Sequence, residues 1–454
     1  MLKKMLALVM MLTATTPLTT LAQAAPETQP LVFLSEQLPA IVAYNQLMVH
    51  FMARAAEREE ADTAAVLGNE LVYFSPTYAG ALIDEAHILV IHVTADTPAV
   101  RGYYLAIVGE GAPVSFREVG FSYNHLQEAV AQVLLAPTAG YVQWREVIDR
   151  SPGRDFAGNH DVWGEGIFRH HIDTASNRVV IATNHIDWQE REDLPAQAMA
   201  EALIQRGITV EIHVSTPAYN AFGGAGVSSD AGRFSLAGRG TNHLGEPVLL
   251  TAGHNFIYAV ETALDLDQPH GLVSRDGATV GQFVSAVYGR LMVGDFGPVQ
   301  YPVGDWGLIR LGQTQSSLGH ELAYARGVIH DYLLAVPVGT HIWGTGATTQ
   351  GVYQGTVTAV HVSTRLGGRS VFVDGLTLVD TPVVTSQAGD SGGSVFLRPN
   401  LDDAVTLVGV TVGGDAQTTF FSPLLWTAGA FVPDVGRLDG VLLGEGSPSY
   451  ASAD

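Results

Sequence analysis

A serine flanked by glycines is the sharpest chemical signal in this 454-residue chain. The segment Gly389–Gly393 reads GDSGG, with Ser391 at its centre. A serine hydroxyl is a poor nucleophile until a base takes its proton. Flanking glycines allow the sharp turn that directs backbone N–H groups at a developing oxyanion. An idle glycine-rich turn has the same sequence, so the interpretation depends on partners elsewhere in the chain.

Two partners of the right chemistry precede the serine. The segment Leu249–His254 is predicted as an apolar strand ending in a small-residue turn that presents the histidine. Asp305 opens a second apolar strand, DWGLIRL, which would bury and fix its carboxylate. Asp295 also lies between His254 and Ser391, but no such strand follows it. We therefore expect His254, Asp305 and Ser391 to act together as base, orienting carboxylate and nucleophile.

The order of these residues discriminates between two folds. The segment also satisfies G-x-S-x-G, the nucleophile elbow of α/β-hydrolases, in which the histidine follows the serine. No histidine follows Ser391 in this chain. The order His, Asp, Ser is that of the chymotrypsin fold.

Several segments together resemble the chymotrypsin-like serine proteases, and most of all the bacterial streptogrisin and α-lytic protease group. The three main segments are TAGH at the end of the strand before His254, DWGLIRL and GDSGGSVF. The further stretches are Gly344–Thr349, Gly355–Ala359, Gly409–Gly414 and Thr418–Phe421. The resemblance covers roughly residues 223–427. It implies an all-β catalytic domain of two six-stranded antiparallel β-barrels, with the active site in the cleft between them.

The resemblance also implies a role for each site residue. His254 is the general base and then the acid, Asp305 orients its imidazole, and Ser391 attacks the scissile carbonyl. The N–H groups of Gly389 and Ser391 form the oxyanion hole. The substrate backbone pairs as an added strand with Thr411, Val412, Gly413 and Gly414. Polypeptide substrates, a monomer, and neither cofactor nor metal are implied as well.

Two departures from the family concern how the site is supported. The chain has no cysteine, whereas family members carry disulfides near the histidine and the nucleophile, each worth about 2–4 kcal/mol. We expect packing, with contributions from Trp343 and Tyr353, to replace them. Val412 stands where the family usually has a serine that contacts the triad aspartate, so that contact is in question.

The preference for the P1 residue of the substrate is limited by the lack of acidic residues and of a histidine at two sequence positions. No acidic residue occurs in Thr381–Ala388, before the nucleophile loop, which argues against basic P1 residues. Thr411 stands where glutamate-specific relatives have histidine. An apolar or aromatic P1 residue is therefore expected.

Composition supports a large, glycine-rich β protein. The chain is 47% hydrophobic and only 15% charged, with 50 glycines that are dispersed rather than periodic. The net charge of −22 argues against nucleic acid as a partner. The absence of cysteine excludes thiol nucleophiles, disulfides and cysteine-ligated metal sites.

The N-terminus predicts export. Lys3 and Lys4 precede the apolar run Met5–Leu12 and the Ala22–Ala24 cleavage pattern, which together are typical of a signal peptide removed after Ala24. The run is shorter than the ~20 residues that a membrane span needs. A secreted protein without a membrane span is expected.

Residues 25–215 have a mixed α+β pattern. Helices are predicted at 41–61, 124–135 and 195–205, and strands at 87–94, 102–108, 167–173, 178–183 and 208–214, with the first two strands forming a hairpin and the next two another. The family resemblance implies that this unit is a pro-region that assists folding and inhibits the enzyme. Residues 216–440 would then be the protease domain and 441–454 a polar tail.

The boundary between these parts is glycine-rich and is expected to be the maturation site, between about residues 216 and 230. Tyr219 and Phe222 within it would each suit an apolar or aromatic S1 pocket. A different class of function, a protease-fold binding protein without catalysis, is disfavoured because His254, Asp305 and Ser391 are all intact.

Overall fold

A computed structural model describes eighteen segments of the chain. They are residues 30–59, 74–109, 111–134, 167–183, 195–214, 219–220, 227–229, 232–256, 272–275, 278–289, 291–294, 303–312, 327–349, 351–365, 372–381, 385–398, 404–415 and 417–437. The predicted signal peptide and polar tail lie outside the described residues. No helix in these segments is long and apolar enough to cross a bilayer.

The first described segment is a long helix, which packs against a small sheet. Helix α1 (Pro30–Glu59) buries one stripe of apolar side chains, as the spacing of Ile41, Tyr44, Leu47 and Phe51 predicts. The sheet consists of β1 (Tyr78–Ile83), β2 (Leu89–Val93) and β3 (Val114–Glu118), in that order. Helix α3 (Tyr123–Leu134) follows, close to its predicted bounds.

The predicted hairpin between residues 87–94 and 102–108 is wrong. The second segment belongs to helix α2 (Pro98–Val108), and β2 instead pairs with β1 and, in parallel, with β3. The Thr97 side chain accepts the Val100 N–H as an N-cap, and Pro98 occupies the first turn. These start signals outweigh the β-propensity of the residues that follow them.

A second unit consists of a hairpin, a helix and a parallel strand. Strands β4 (Ile167–Asp173) and β5 (Arg178–Thr183) have their predicted bounds, and Asn177 in the turn adopts a φ of 51°. Helix α4 (Pro195–Ile204) leads to β6 (Val210–Val214), which pairs in parallel with β5. These three strands extend a larger sheet of the following part of the chain.

The remaining chain is almost entirely β-structure and forms two sheets. Its strands are β7 (Tyr219–Asn220), β8 (Val227–Ser229), β9 (Gly232–Phe234), β10 (Gly238–Asn242), β11 (Pro247–Thr251), β12 (Leu272–Arg275), β13 (Ala278–Tyr288), β14 (Leu291–Gly294), β15 (Asp305–Leu311), β16 (Val328–Tyr332), β17 (His341–Gly346), β18 (Gly351–Arg365), β19 (Phe372–Asp380), β20 (Ser394–Leu397), β21 (Ala404–Gly414), β22 (Thr418–Pro423), β23 (Phe431–Pro433) and β24 (Gly436–Arg437). A 3₁₀ turn at Leu424–Thr427 follows β22.

The two sheets differ in topology. The first has the order β23-β10-β11-β15-β13-β12-β8-β9, with β14 on β13. The second contains the order β17-β20-β21-β22-β19-β18, in which adjacent strands are hydrogen-bonded. A further pairing of β17 with β18 closes these six strands into a ring. Strand β4 adds β5 and β6 to β18 outside that ring. The described strands of the first sheet form no ring, so two six-stranded barrels stay a prediction.

Candidate active site

The first sheet brings His254 and Asp305 together. Strands β11 and β15 are antiparallel neighbours, so the turn after β11 lies beside the residue that opens β15. His254 Nδ1 is 2.6 Å from Asp305 Oδ2, and the backbone N–H of His254 donates to Oδ1 at 2.8 Å. Both side chains are 0% exposed. Two bonds to one carboxylate fix the ring plane and leave Nε2 as the nitrogen directed away from Asp305.

A serine of the second sheet reaches the same aspartate. The backbone N–H of Asp305 donates to Ser422 Oγ at 3.2 Å, and Ser422 lies on β22. This bond is to the backbone of Asp305 and not to its carboxylate, so it differs from the serine contact that Val412 puts in question. Sequence reasoning missed Ser422, since it follows Ser391 by many residues and has no motif around it.

Ser391 lies in the tight turn that the sequence predicts. Gly389 and Gly392 have φ values of 104° and 89°, a region that side chains rarely adopt. A Cβ at Gly392 would come within 2.1 Å of the Ser235 carbonyl oxygen. Glycine is therefore required for the nucleophile loop to approach the first sheet.

Ser235 anchors this loop through both backbone and side chain. Its N–H donates to the Ser391 carbonyl at 2.8 Å, and its Oγ donates to the Gly389 carbonyl at 2.9 Å. The same Oγ accepts the Ala347 N–H at 3.0 Å. Because these bonds orient the peptides beside the predicted oxyanion donors, Ser235 is a positioning residue that sequence reasoning missed.

Asp390 holds the loop from the other side. Its Oδ1 accepts the N–H groups of Thr348 and Thr349 at 2.8 and 3.1 Å, and its Oδ2 accepts that of Gln387 at 2.8 Å. Burial raises the pKa of the Asp390 carboxyl, and these backbone N–H groups counteract part of that shift. The carboxylate is held by backbone groups.

Asn255 links the histidine turn to the Ser391 loop. Its Nδ2 lies 3.4 Å from Thr251 Oγ1 and 3.5 Å from the Ser391 carbonyl oxygen. Both contacts are long, so each is weak. They nevertheless place the His254 turn and the Ser391 loop side by side across the two sheets.

The Ser391 hydroxyl donates to the Val412 carbonyl at 3.0 Å. A hydroxyl carries one proton, so in this conformation that proton is directed at β21. Val412 lies at an irregularity in the ladder with β22, between Thr411 and Gly413. Such bulges re-aim backbone groups. This hydrogen bond must break before the proton can pass to the imidazole.

The edge of β21 is occupied by the chain itself. Tyr219 pairs with Gly414 and Asn220 pairs with Gly413, in antiparallel register. Ser391 is 0% exposed. The residues expected to bind a substrate backbone therefore already hold an extended segment, which comes from the predicted maturation region.

Thr411 is engaged in a different way from the glycines that follow it. Its N–H donates to the Gly393 carbonyl and its carbonyl accepts the Gly392 N–H, both at 2.9 Å. Its hydroxyl lies 2.6 Å from the hydroxyl of Tyr353, and burial raises the pKa of that phenol. Thr411 thus supports the nucleophile loop.

Tyr353 and Trp343 are the residues whose packing was expected to replace disulfides. Tyr353 is fully buried and packs on Gly344, where a Cβ would lie 2.0 Å from the phenol ring. Trp343 Nε1 donates to Gln354 Oε1 at 3.1 Å. Both residues are on the strand pair β17–β18, which closes the ring around the nucleophile's sheet.

Polar side chains lie beside the segment that precedes the nucleophile. The Ser386 N–H donates to Thr419 Oγ1 at 3.2 Å, and the two hydroxyl oxygens are 3.3 Å apart. Gly414 lies against the same Ser386 hydroxyl. Asp295, the rival to Asp305, and Phe222 lie outside the described residues. Within the described segments no three His, Asp or Glu side chains are grouped to hold a metal ion.

Comparison with known proteins gives structural matches only. No protein-family model and no curated protein matches the chain. A glutamic acid-specific serine protease is 25% identical over 46% of this chain and 98% of its own, with a TM-score of 0.33. A Nocardiopsis protease is 23% identical (45% and 92% covered, TM-score 0.32). Thermobifida fusca protease A is 21% identical (47% and 98%, 0.32). Over less than half of its length, the chain is similar in structure, at low sequence identity, to chymotrypsin-like serine proteases.

Proposed function

We propose that this protein is a secreted serine endopeptidase that is made as a latent proform. The observation that carries the proposal is the buried His254–Asp305 pair at 2.6 Å, next to the Ser391 loop. A general base that serves a serine uses this arrangement, a ring fixed by a carboxylate beside a serine in a loop anchored by backbone bonds. The Asp305 carboxylate contacts both the ring and the backbone of the histidine, which a merely structural histidine does not require.

The reaction uses this chain's own groups at each step. His254 Nε2 takes the Ser391 proton as Oγ attacks the carbonyl carbon of a peptide bond. The N–H groups of Gly389 and Ser391 stabilise the oxyanion that forms, held in place by the Ser235 bond to the Gly389 carbonyl. The imidazolium then gives its proton to the leaving amine, and water hydrolyses the acyl-enzyme by the reverse sequence.

Substrate binding is assigned to the edge of β21. Gly413 and Gly414 pair with an extended antiparallel segment in the proform, and a substrate backbone would replace that segment in the processed enzyme. Val412 contributes its carbonyl, which is released when the Ser391 hydroxyl turns to the base. An apolar or aromatic P1 residue remains the proposed preference.

Residues 25–215 are proposed to be the pro-region. Strand β4 pairs with β18 through His170 opposite Ser363 and Arg169 opposite Thr364, so the unit extends the sheet that carries the nucleophile. The Arg169 guanidinium also lies 6.0 Å from the Phe420 ring. Strand pairing of this kind would both template the sheet during folding and hold the proform latent.

Labelling with a fluorophosphonate probe tests catalysis directly. We expect the processed protein to be labelled on Ser391, and Ser391→Ala to abolish the label. Ser394→Ala is the control, because Ser394 lies three residues away and should leave labelling intact. A folded, processed protein that does not react would instead support the alternative, a protease-fold binding protein without catalysis.

Maturation is tested by the same substitution. If the enzyme cuts itself, Ser391→Ala should accumulate at full length while the wild type yields a fragment beginning between about residues 216 and 230. Normal cleavage of Ser391→Ala in a host lacking other proteases would overturn self-processing.

A further inference from the structure

We propose that residues 30–134, here called the N-terminal unit, remain bound after processing as a permanent subunit of the mature enzyme. The proposal rests on the proposed processing between residues 215 and 230. It concerns the surface between this unit and the connector, defined as Leu333–Thr340, which joins β16 to β17 ahead of the nucleophile's ring of strands.

Asn45 of helix α1 makes the central contact. Its Oδ1 accepts the backbone N–H groups of Leu334 and Ala335 at 2.8 and 3.2 Å. Asn45 is 0% exposed and both bonds are buried. If α1 left, both of these adjacent N–H groups would lose the oxygen that accepts their hydrogen bonds. A buried N–H group without an acceptor lowers the stability of the fold.

Two more residues of the N-terminal unit, one on α1 and one on β1, contact the connector or the first residue of β17. Gln37 donates through Nε2 to the Gly339 carbonyl and accepts the His341 N–H through Oε1, at 3.2 and 3.3 Å. From β1, the Ile83 N–H donates to the Val338 carbonyl at 2.8 Å. The connector therefore obtains hydrogen-bond partners along its length from a part of the chain that precedes it by about 250 to 300 residues.

Aromatic side chains extend this surface to the second sheet. The ring of His361, on β18, lies edge-on to Phe74 and Tyr123 of the N-terminal unit and to Trp426 of the 3₁₀ turn, with centroids 5.5–5.8 Å apart. The non-glycine φ of 53° at His361 directs its ring into this cluster at the cost of backbone strain. The cluster contains residues of both parts.

The two parts also share one hydrophobic core. Side chains of α1 such as Tyr44 and Met48 belong to the same buried cluster as Leu333, Leu334 and Trp426 of the catalytic part. Separation would open this core and expose apolar surface on both sides. Because the chain has no disulfides, no covalent cross-link would hold the exposed connector in place. Retention of the unit therefore keeps the nucleophile's sheet folded.

The test uses Ser391→Ala protein with a site for a sequence-specific protease placed between residues 215 and 230. After complete cleavage, size-exclusion chromatography at about 1 µM should show both fragments in one peak in 1:1 ratio, because the interface and not the chain holds them. Elution of a catalytic fragment alone, folded by circular dichroism, would overturn the proposal.

A pair of variants locates the effect. Asn45→Ala should release the N-terminal fragment after cleavage at least tenfold faster than the parent, since it removes the acceptor for the connector. Asn124→Ala is the matched control, because Asn124 donates within the unit, to the Phe74 carbonyl at 2.8 Å. Equal release by both variants would place the binding elsewhere and refute the assignment to the connector.

Activity separates this proposal from the proposed function. The same two fragments are prepared with Ser391 present and assayed by fluorophosphonate labelling. Labelling of the associated fragments would support both proposals, whereas labelling of neither the associated nor the separated fragments would refute catalysis. Association without labelling, followed by labelling once the fragments are separated, would show a bound inhibitor and overturn the subunit of the mature enzyme. Labelling that persists after the N-terminal fragment has left would refute the permanent subunit and support catalysis.

Discussion

The two halves of the candidate site are held by contacts of different range. His254 and Asp305 lie on neighbouring strands of one sheet, and their contact is settled by the β11–β15 ladder. Ser391 instead depends on groups from both sheets, including Ser235 and the segment Thr348–Thr349 that holds its neighbour Asp390. The candidate base is positioned within one sheet, whereas the candidate nucleophile is positioned between two.

In the proposed latent proform, this difference would place the block in the Ser391 half of the candidate site. The His254–Asp305 contact already has the geometry of a working base. The Ser391 proton, however, is directed at Val412, and β7 covers Gly413 and Gly414 beside it. Under the proposed function, activation would change the second sheet and leave the His254–Asp305 contact as it is.

Asp305→Asn gives the largest expected effect on activity, because it keeps the His254–Asp305 pair in place but removes the carboxylate that His254 needs to act as a base. An amide donor opposite Nδ1 favours the wrong imidazole tautomer, and kcat should fall by about 10⁴. The rate of peptide hydrolysis is measured on protein processed by an added protease. A loss of less than tenfold would mean that the base half does not act through this carboxylate.

Acid should weaken the proform through His361, which ties the second sheet to the N-terminal unit. Partial burial among aromatic rings lowers the pKa of His361 to about 4, against about 6.5 in the unfolded chain. The unfolded state then binds the proton first as pH falls, so stability is full above about pH 6.5 and decreases down to about pH 4. The loss is at most about 3 kcal/mol.

Urea unfolding at pH 7 and pH 4.5 measures this loss. His361→Asn should unfold with a smaller difference between the two pH values than the wild type, since Asn tolerates positive φ and does not titrate. An identical difference would show that His361 does not contribute to the acid sensitivity.

Ser235→Ala should produce a smaller, kcat-specific effect on the nucleophile half. It leaves the buried Gly389 carbonyl and Ala347 N–H without this partner, which costs about 1–3 kcal/mol. It also frees the Gly389–Asp390 peptide, which lies between the peptides of the two proposed oxyanion donors. We expect kcat to fall about tenfold with KM nearly unchanged.

Ser394→Ala is the matched control for Ser235. Ser394 Oγ donates to the Ala237 carbonyl at 2.5 Å, so it also joins the two sheets but does not contact Gly389. It should lower the melting temperature and leave kcat unchanged. Equal effects of the two variants on kcat would mean that Ser235 acts only through stability.

Loosening β7 should give the smallest effect. In the Ser391→Ala proform, replacing both Tyr219 and Asn220 by proline removes two N–H groups and strand pairing with them. Amide exchange at Gly413 and Gly414 should become about tenfold faster, while Val410, inside the same strand, serves as the unchanged reference. No difference at the glycines would contradict a proform in which the chain covers its own substrate edge.

The sequence by itself determined the features that local chemistry dictates. The apolar period of α1, the bounds of β4 and β5, and the strand that Asp305 opens all follow from neighbouring residues. It erred at Gly102–Val108, where the cap at Thr97 outweighs a strand-like composition. The candidate base and nucleophile were recognisable because each lies at the end of a local motif.

Only the tertiary structure decided how the site is supported and covered. The Ser235–Gly389 bond joins residues 154 positions apart, and the Asn45–Leu334 bond joins residues 289 apart. A single serine or asparagine carries no periodicity, and its partner is chosen by the packing of distant segments. The support by Ser422 and the pairing of β7 with β21 are likewise decided by which strands become neighbours when the whole chain folds.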